Sequence, residues 1–289
     1  MDSHGWRVLY QTIREAASVL PPPRRRPRYS DVLIVAMLFW TVSQDRPMSW
    51  ACDRSHYYGP FRPRRVPSVS QFSRRVRSER TWQILDDVHR RLAQTGRITR
   101  LCCLDGRPLP VGSCSKDREA RPGRVYGGFA RGYKLHVLVT ADYRVVSWCV
   151  TALNVSEQTA AVALIEVMPT LGLVLADGNY DSTPVYDAVA AKGGQLMTPV
   201  PDNAGQGHHR QSPHRLSGID LYHDWGRYLY RERIRVEQGL SHMATFGGGL
   251  GPLPPWVRTL ERVRRWVGVK VTLYHLRRML RKQETPRAA

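Results

Sequence analysis

At 289 residues the chain can bury one large core or two modest ones, and a hydrophobic content of 42% fits a globular protein. No apolar run approaches the roughly 20 residues that a membrane-spanning helix needs, and MDSHGWRVLYQ lacks the apolar core of a signal peptide. Against 24 acidic residues stand 44 basic ones, a net charge of +20, which favours a polyanionic partner. Nucleic acid comes first; a ribosomal or membrane-surface role is the alternative.

In chain order, residues 1–28 show a short helical pattern that stops at PPPRRRPR, a block that cannot be helical throughout. Ser30 offers an N-cap for a helix to about Val42, and a second short helix covers Ser49 to Asp53. HYYGPFRPRRVP, residues 56–67, reads as a loop by its Gly and Pro content. Ser68 then caps a basic helix with Arg74, Arg75 and Arg77, followed by an amphipathic helix over 81–94 with Ile84, Leu85, Val88 and Leu92 on one side. Residues 1–98 are thus expected to be an all-helical, basic, DNA-binding region, with 18 arginines against 8 acids. Charged helices are also commonly plain solvated faces, and that reading stays open here.

The pattern changes at residue 99. TRLCCLD reads as a strand, residues 112–132 as a polar, Gly-rich connection, and YKLHVLVTAD with RVVSWCVTAL as an antiparallel pair turning near Asp142 and Tyr143. Ser156 caps a helix to about Met168. Next come the short strand LGLVLAD, a helix over 182–192 and the strand QLMTPV. Strands first paired antiparallel, then alternating with helices, indicate an α/β fold with a mixed sheet flanked by helices. Residues 201–228 read as an inserted loop, 229–245 as a helix, and about 256–282 as a basic C-terminal helix. That helix carries Leu260, Val263, Val267, Val271 and Tyr274 at helical spacing, so one face packs on a core.

Two strands end alike, LCCLDG at Asp105 and LVLADG at Asp177, and functional side chains gather beyond strand ends in α/β sheets. An Asp there is also an ordinary turn residue. A third acid, Glu237, lies four residues after Arg233 and seven after Tyr230, so the three share one helical face, where the pair 233/237 could equally be a surface ion pair. Three carboxylates on separate rigid elements can hold two hard divalent cations, which activate the attacking oxygen and stabilise the leaving oxygen of a phosphodiester.

Five cysteines, an odd count without a C-x-x-C pair, support neither a disulfide framework nor a zinc knuckle and suggest reduced, cytosolic thiols. His208, His209, His214 and His223 fit no structural-zinc spacing. A D-x-D phosphatase is disfavoured because Arg107 stands at the second position.

Asp105 in LDGRPL, Asp177 in LADGNYDS and Glu237 in YRERIRVE, with GYKLH and TALNVSE between the first two, resemble the DDE transposases of bacterial insertion sequences, the IS-four-like group. Tyr230, Arg233 and Glu237 match the Y-x2-R-x3-E part of that family's signature, while Ala244 stands where its lysine is expected. The resemblance implies an RNase H-like catalytic domain over 99–289 after the helical region, and two Mg²⁺ or Mn²⁺ ions held by Asp105, Asp177 and Glu237. It implies phosphate contacts from Tyr230, Arg233 and Lys134, cleavage of transposon ends, and strand transfer to target DNA. The implied partners are double-stranded DNA and a second copy of the chain, in a bacterial cytoplasm at the nucleoid. A decayed transposase that binds DNA without cutting it, or a plain basic regulator, are the alternatives.

Overall fold

The computed structural model describes residues 2–23, 25, 27–93, 100–199, 212–245 and 249–284. Four helices open the chain: α1 (Ser3–Val19), α2 (Asp31–Ser43), α3 (Val69–Val76) and α4 (Glu79–Ala93). Three of the starts have a local cause. The Asp2 carboxylate accepts from the Gly5 N–H at 2.7 Å, Ser30 Oγ from Leu33 N at 3.2 Å, and Ser68 forms a reciprocal capping box with Gln71. Helix α2 is buried along nearly its whole length, from Ile34 to Val42, as a helix apolar all round must be. The expected second helix is a single 3₁₀ turn, Trp50–Cys52.

The segment read as a loop does more than connect: it buries Tyr57 and Phe61, and Phe61 packs on Trp6 with ring centroids 4.8 Å apart. Trp40 meets Trp6 edge-on at 5.2 Å, so these aromatic rings form the centre of the helical core.

The sheet follows. Strand β1 (Leu101–Pro110) runs five residues past Asp105; β2 (Arg121–Val125) and β3 (Gly128–Thr140) form a hairpin, and β4 (Val145–Ala152) pairs with β3. Helix α5 (Glu157–Glu166) leads to β5 (Leu173–Leu175), helix α6 (Thr183–Ala190) to β6 (Gln195–Met197). β1 pairs antiparallel with β3 and parallel with β5, which pairs parallel with β6. Setting β2 aside, the order β4-β3-β1-β5-β6 is that of an RNase H-like sheet, as expected. Cys102, Leu104, Leu138 and Val174 pack on one face against Leu164, Ile165, Val185 and Val189 of α5 and α6. At roughly 1.5–3 kcal/mol for each large apolar side chain buried, this layer holds β1 and β5 in fixed register.

Two expectations need correction. Residues 112–132 contain a β-ribbon rather than an irregular connection. The sequence RPGRVYGGFARG lacks apolar alternation because the ribbon buries no large apolar side chain, with Gly123 set close against Leu153, and it turns at Tyr126–Gly127 where Gly127 has φ +83°. In the expected loop 201–228, residues 201–211 lie outside the described residues, and the remainder is helical: α7 (Pro213–Leu221), a π-helical turn (Tyr222–Gly226) and α8 (Arg227–Tyr230). Pro213 at the first turn, after Ser212 whose Oγ accepts from His214 N, starts that helix. A 3₁₀ turn, Arg231–Arg233, joins α8 to α9 (Ile234–Thr245).

The chain divides into two compact units that do not follow chain order. Residues 243–257 and 265–289 group with the N-terminal helices, and residues 258–264 with the sheet. The last helix, α10 (Leu260–Glu284), thus begins in one unit and continues in the other. Within the helical unit, buried Lys270 meets Asp45 at 2.6 Å and the Arg265 guanidinium lies 5.3 Å over the Trp82 ring. Among the described residues no helix is long and apolar enough to cross a membrane.

Candidate active site

The site is built where β1 outruns β5. Asp105 sits in mid-strand opposite Val137 of β3, while β5 has already ended, so Asp177 leaves the sheet beside it. Asp177 caps a 3₁₀ turn, its carboxylate accepting from Asn179 N at 2.9 Å, which fixes the side chain. Arg233, at the junction into α9, places Nη2 4.0 Å from Asp105 Oδ1 and 3.8 Å from Asp177 Oδ2. The Tyr230 ring lies 5.9 Å below the same guanidinium. The resemblance put Arg233 on phosphate; its described carboxylate partners are the two aspartates.

Glu237 lies on α9, one helical turn beyond Arg233, and its side chain is outside the described set. The helix is pinned on both sides of that residue. Arg233 reaches the aspartates before it, and after it Arg107 Nη1 donates to the Leu240 carbonyl at 3.2 Å. Tyr143 Oη adds a bond to Gln238 Oε1 at 3.0 Å. Thus Arg107, which argued against a phosphatase in the sequence, ties β1 to α9 two residues after Asp105.

The electrostatics follow from burial. The Asp105 carboxyl is pushed up to about 6, chiefly by burial; the Gly106 N–H and Arg233 oppose this, and the charges of Asp177 and Glu157 add to it. Asp177 is raised for the same first reason, with Glu157 adding to the rise and the Asn179 N–H, Arg233 and Lys134 opposing it. Two neighbouring acids whose carboxyls are both raised, in a protein this basic, mark a candidate functional site.

Sequence reading missed Glu157 and Tyr180. Lys134 of β3 binds Glu157 Oε1 at 2.6 Å, with side chains 11% and 18% exposed, so its described partner is a carboxylate. The Tyr180 hydroxyl is buried with no hydrogen-bond partner among the described residues. Its pKa is raised by burial first, then by the charges of Glu157, Asp105 and Asp177. Gly106 explains why these groups can gather: a Cβ there would stand 3.2 Å from Glu157 Oε1 and from Lys134 Cδ, and 3.5 Å from Tyr180 Oη. The D-G pair in the strand is a carboxylate followed by a deliberate gap. Glu157 gave no separate signal because an acid after a Ser cap is ordinary at a helix start.

The two arginines of α3 and Arg77 at its C-cap part company. Arg74 and Arg77 are exposed. Arg75 donates to the Tyr29 carbonyl at 3.0 Å and to Asp31 Oδ1 at 2.5 Å, and Arg80 donates to Asp31 Oδ2 at 2.6 Å. Of the histidines, His208 and His209 lie outside the described residues; His214 is in α7 and His223 in the π turn.

Hard carboxylate oxygens converging with one cationic atom between them fit a divalent metal in chemistry. Among the described residues no three His, Cys, Asp or Glu side chains form a metal cluster, Glu237 being outside that set.

No curated protein matches the chain. Among solved structures, the cryo-EM synaptic complex of piggyBac transposase with hairpin DNA aligns over 96% of this chain and 78% of its own, at 12% identity and a TM-score of 0.37. A likeness that distant carries no argument. Residues 96–250, more than half of the chain and spanning Asp105, Asp177 and Glu237, match the transposase DDE domain, and the chain belongs to that family.

Proposed function

We propose that this protein is a DNA transposase that cleaves transposon ends and transfers the freed strands to target DNA by two-metal phosphodiester chemistry. The observation that carries the reading is the sharing of Arg233 by Asp105 and Asp177, with Glu237 one turn further along the same segment. Asp105, Asp177 and Glu237 would hold two Mg²⁺ or Mn²⁺ ions. Bound there, the ions supply activation of the attacking oxygen and stabilisation of the leaving one.

The chain's own groups do the rest. Arg233 and Tyr230 orient a phosphate at the aspartates, and Arg233 exchanges its carboxylate contacts for that phosphate when substrate arrives. Lys134 reaches phosphate only when its pair with Glu157 opens; closed, the pair keeps Glu157 in place beside Asp105. Exposed Arg74 and Arg77 engage the DNA backbone outside the site. The net charge of +20 supports a double-stranded DNA partner. The active species on paired transposon ends is a homodimer, working at the bacterial nucleoid in the cytoplasm.

The test is Mg²⁺-dependent nicking of duplex that carries the element's own terminal inverted repeats, run beside Asp105→Asn. Wild type should nick and the variant should not; equal nicking by both would refute the site. Ala244, where the family has lysine, favours one second reading, a decayed enzyme, for which specific binding without nicking is the expected result.

A further inference from the structure

The ribbon formed by β2 and β3 is not used by the active site. From Phe129 to Ala130, β3 pairs with β2 alone, because β1 joins it only at Gly132 and β4 only at Tyr133. A two-stranded ribbon extending past its sheet is marginal in water and normally carries polar side chains. This one carries aromatic rings: Tyr126 at the turn is 106% exposed and Phe129 78%. Arg124 pairs directly opposite Phe129, so a guanidinium and a ring share one face of the ribbon, and Arg121 stands exposed at its base. Neither Arg121 nor Arg124 has a side-chain hydrogen bond or ion pair among the described residues. Arg131, by contrast, donates to the carbonyls of Asp117 and Ala120 at 2.7 and 3.2 Å and braces the base.

The charge is one-sided. No acid occurs between residues 120 and 141. The two acids just before that stretch are committed elsewhere: Asp117 accepts from Tyr133 Oη at 2.7 Å and from Thr259 N, at the start of α10, at 3.0 Å, and Glu119 accepts from Leu260 N at 2.7 Å. Pro122 within the edge strand β2 removes a donor and discourages pairing with a second copy of the chain.

We propose that this ribbon is a DNA-gripping arm, in which Arg121 and Arg124 meet phosphates while Tyr126 and Phe129 press their rings into the groove of the same duplex. The proposal rests on the DNA-cleaving reading above and adds a second contact to it. Phe129 lies eight residues along β3 from Val137, the partner of Asp105. At about 3.4 Å per residue the arm stands about 27 Å from that aspartate. Duplex rises about 3.4 Å per base pair, so the grip falls about eight base pairs from the phosphodiester being cut. Arginine contacts supply salt-dependent affinity, and apolar wedges at base steps supply a salt-independent part.

The experiment uses the full chain and a fluorescein-labelled 40-base-pair duplex of mixed sequence, with affinity read by anisotropy across a salt series. Arg121→Gln with Arg124→Gln should weaken binding on the order of tenfold and lower the slope of log affinity against log salt by about 2. Tyr126→Ser with Phe129→Ser should weaken binding by about tenfold with the slope unchanged. Because all four side chains face water, thermal unfolding should not move in either variant. Variants that match wild type in both affinity and slope overturn the arm while leaving the cleavage reading intact. The same holds if duplex affinity is kept and self-association, measured by sedimentation, is what falls. A wild-type chain that binds no duplex overturns both proposals together.

Discussion

Arg233 Nη2 lies 3.8 Å from Asp177 Oδ2, joining the start of α9 to the end of β5 across a long stretch of sequence. The same atom is 4.0 Å from Asp105, so a single guanidinium serves two acids that burial makes reluctant to ionise. A divalent cation bound there would relieve that repulsion further. Mg²⁺ or Mn²⁺ at about a hundred times its dissociation constant should raise the unfolding free energy by about 2.7 kcal/mol. The rise should vanish with EDTA and largely disappear in Asp177→Asn, measured by thermal unfolding without DNA.

Glu157 and Lys134 form a mostly buried ion pair at 2.6 Å. Removing either charge alone leaves the other poorly solvated, so Glu157→Gln and Lys134→Met should each cost roughly 2 kcal/mol. The double variant should recover part of that loss, and a double-mutant cycle by denaturant unfolding gives the coupling. Additive costs would show that the pair is not coupled.

Gly106→Ala tests the gap after Asp105. The new Cβ would sit 3.2 Å from Glu157 Oε1 and Lys134 Cδ, so both must yield by a few tenths of an ångström. Stability should fall by about 1 kcal/mol. Nicking should fall on the order of tenfold or more, because misplacing groups beside the acids costs more in rate than in folding. A variant that nicks at the wild-type rate would show that the gap is not needed.

In the helical unit, Asp31 holds Arg75 and Arg80, and its side chain is only 11% exposed. Asp31→Asn should therefore destabilise that unit by roughly 2 kcal/mol with duplex affinity unchanged. Arg74→Ala with Arg77→Ala should do the reverse, sparing stability while lowering the salt slope of DNA binding by about 2. Unfolding curves and anisotropy on the same preparations separate the two roles.

His136 is pushed down to about 4, first by burial and then by the charge of Lys134, with Glu157 opposing, and its Nε2 pairs with Thr151 Oγ1 at 2.9 Å. Its folded pKa is depressed, so between about pH 6.5 and 4 the unfolded chain takes up a proton that the native one resists. Stability should be full above that window and fall as pH drops through it, by about 1.4 kcal/mol per pH unit and about 3 kcal/mol in all. His136→Gln should flatten this fall. His89, pushed down to about 4 by burial in the helical unit, adds a second decline of the same sign.

Much of this was legible in the sequence. The caps at Ser30 and Ser68, the buried run of α2, and the apolar strand segments that lead to Asp105 and Asp177 follow from local patterns, because capping and apolar periodicity act over a few residues, whereas the continuation of β1 to Pro110 was not expected. The ribbon 121–131 was not legible as strand: its two strands pair with each other and bury no large apolar side chain that would impose an alternating pattern. Nor was the helical stretch 213–228, whose Gly, His and Asp content resembles a loop until it packs. Gly218 shows this, since a Cβ there would come 2.6 Å from the Tyr186 ring.

By itself, then, the sequence determined most of the elements, that a basic chain would seek a polyanion, and that Asp105 and Asp177 follow apolar strand segments. Only the tertiary structure decided who meets whom. Arg233 lies between two aspartates, Arg75 braces Asp31 and Lys134 pairs with Glu157, contacts that no local pattern specified. The physical reason is range. Caps and periodicity are satisfied within a turn or two of chain, whereas the partner of a charged side chain is whichever opposite charge folding buries beside it.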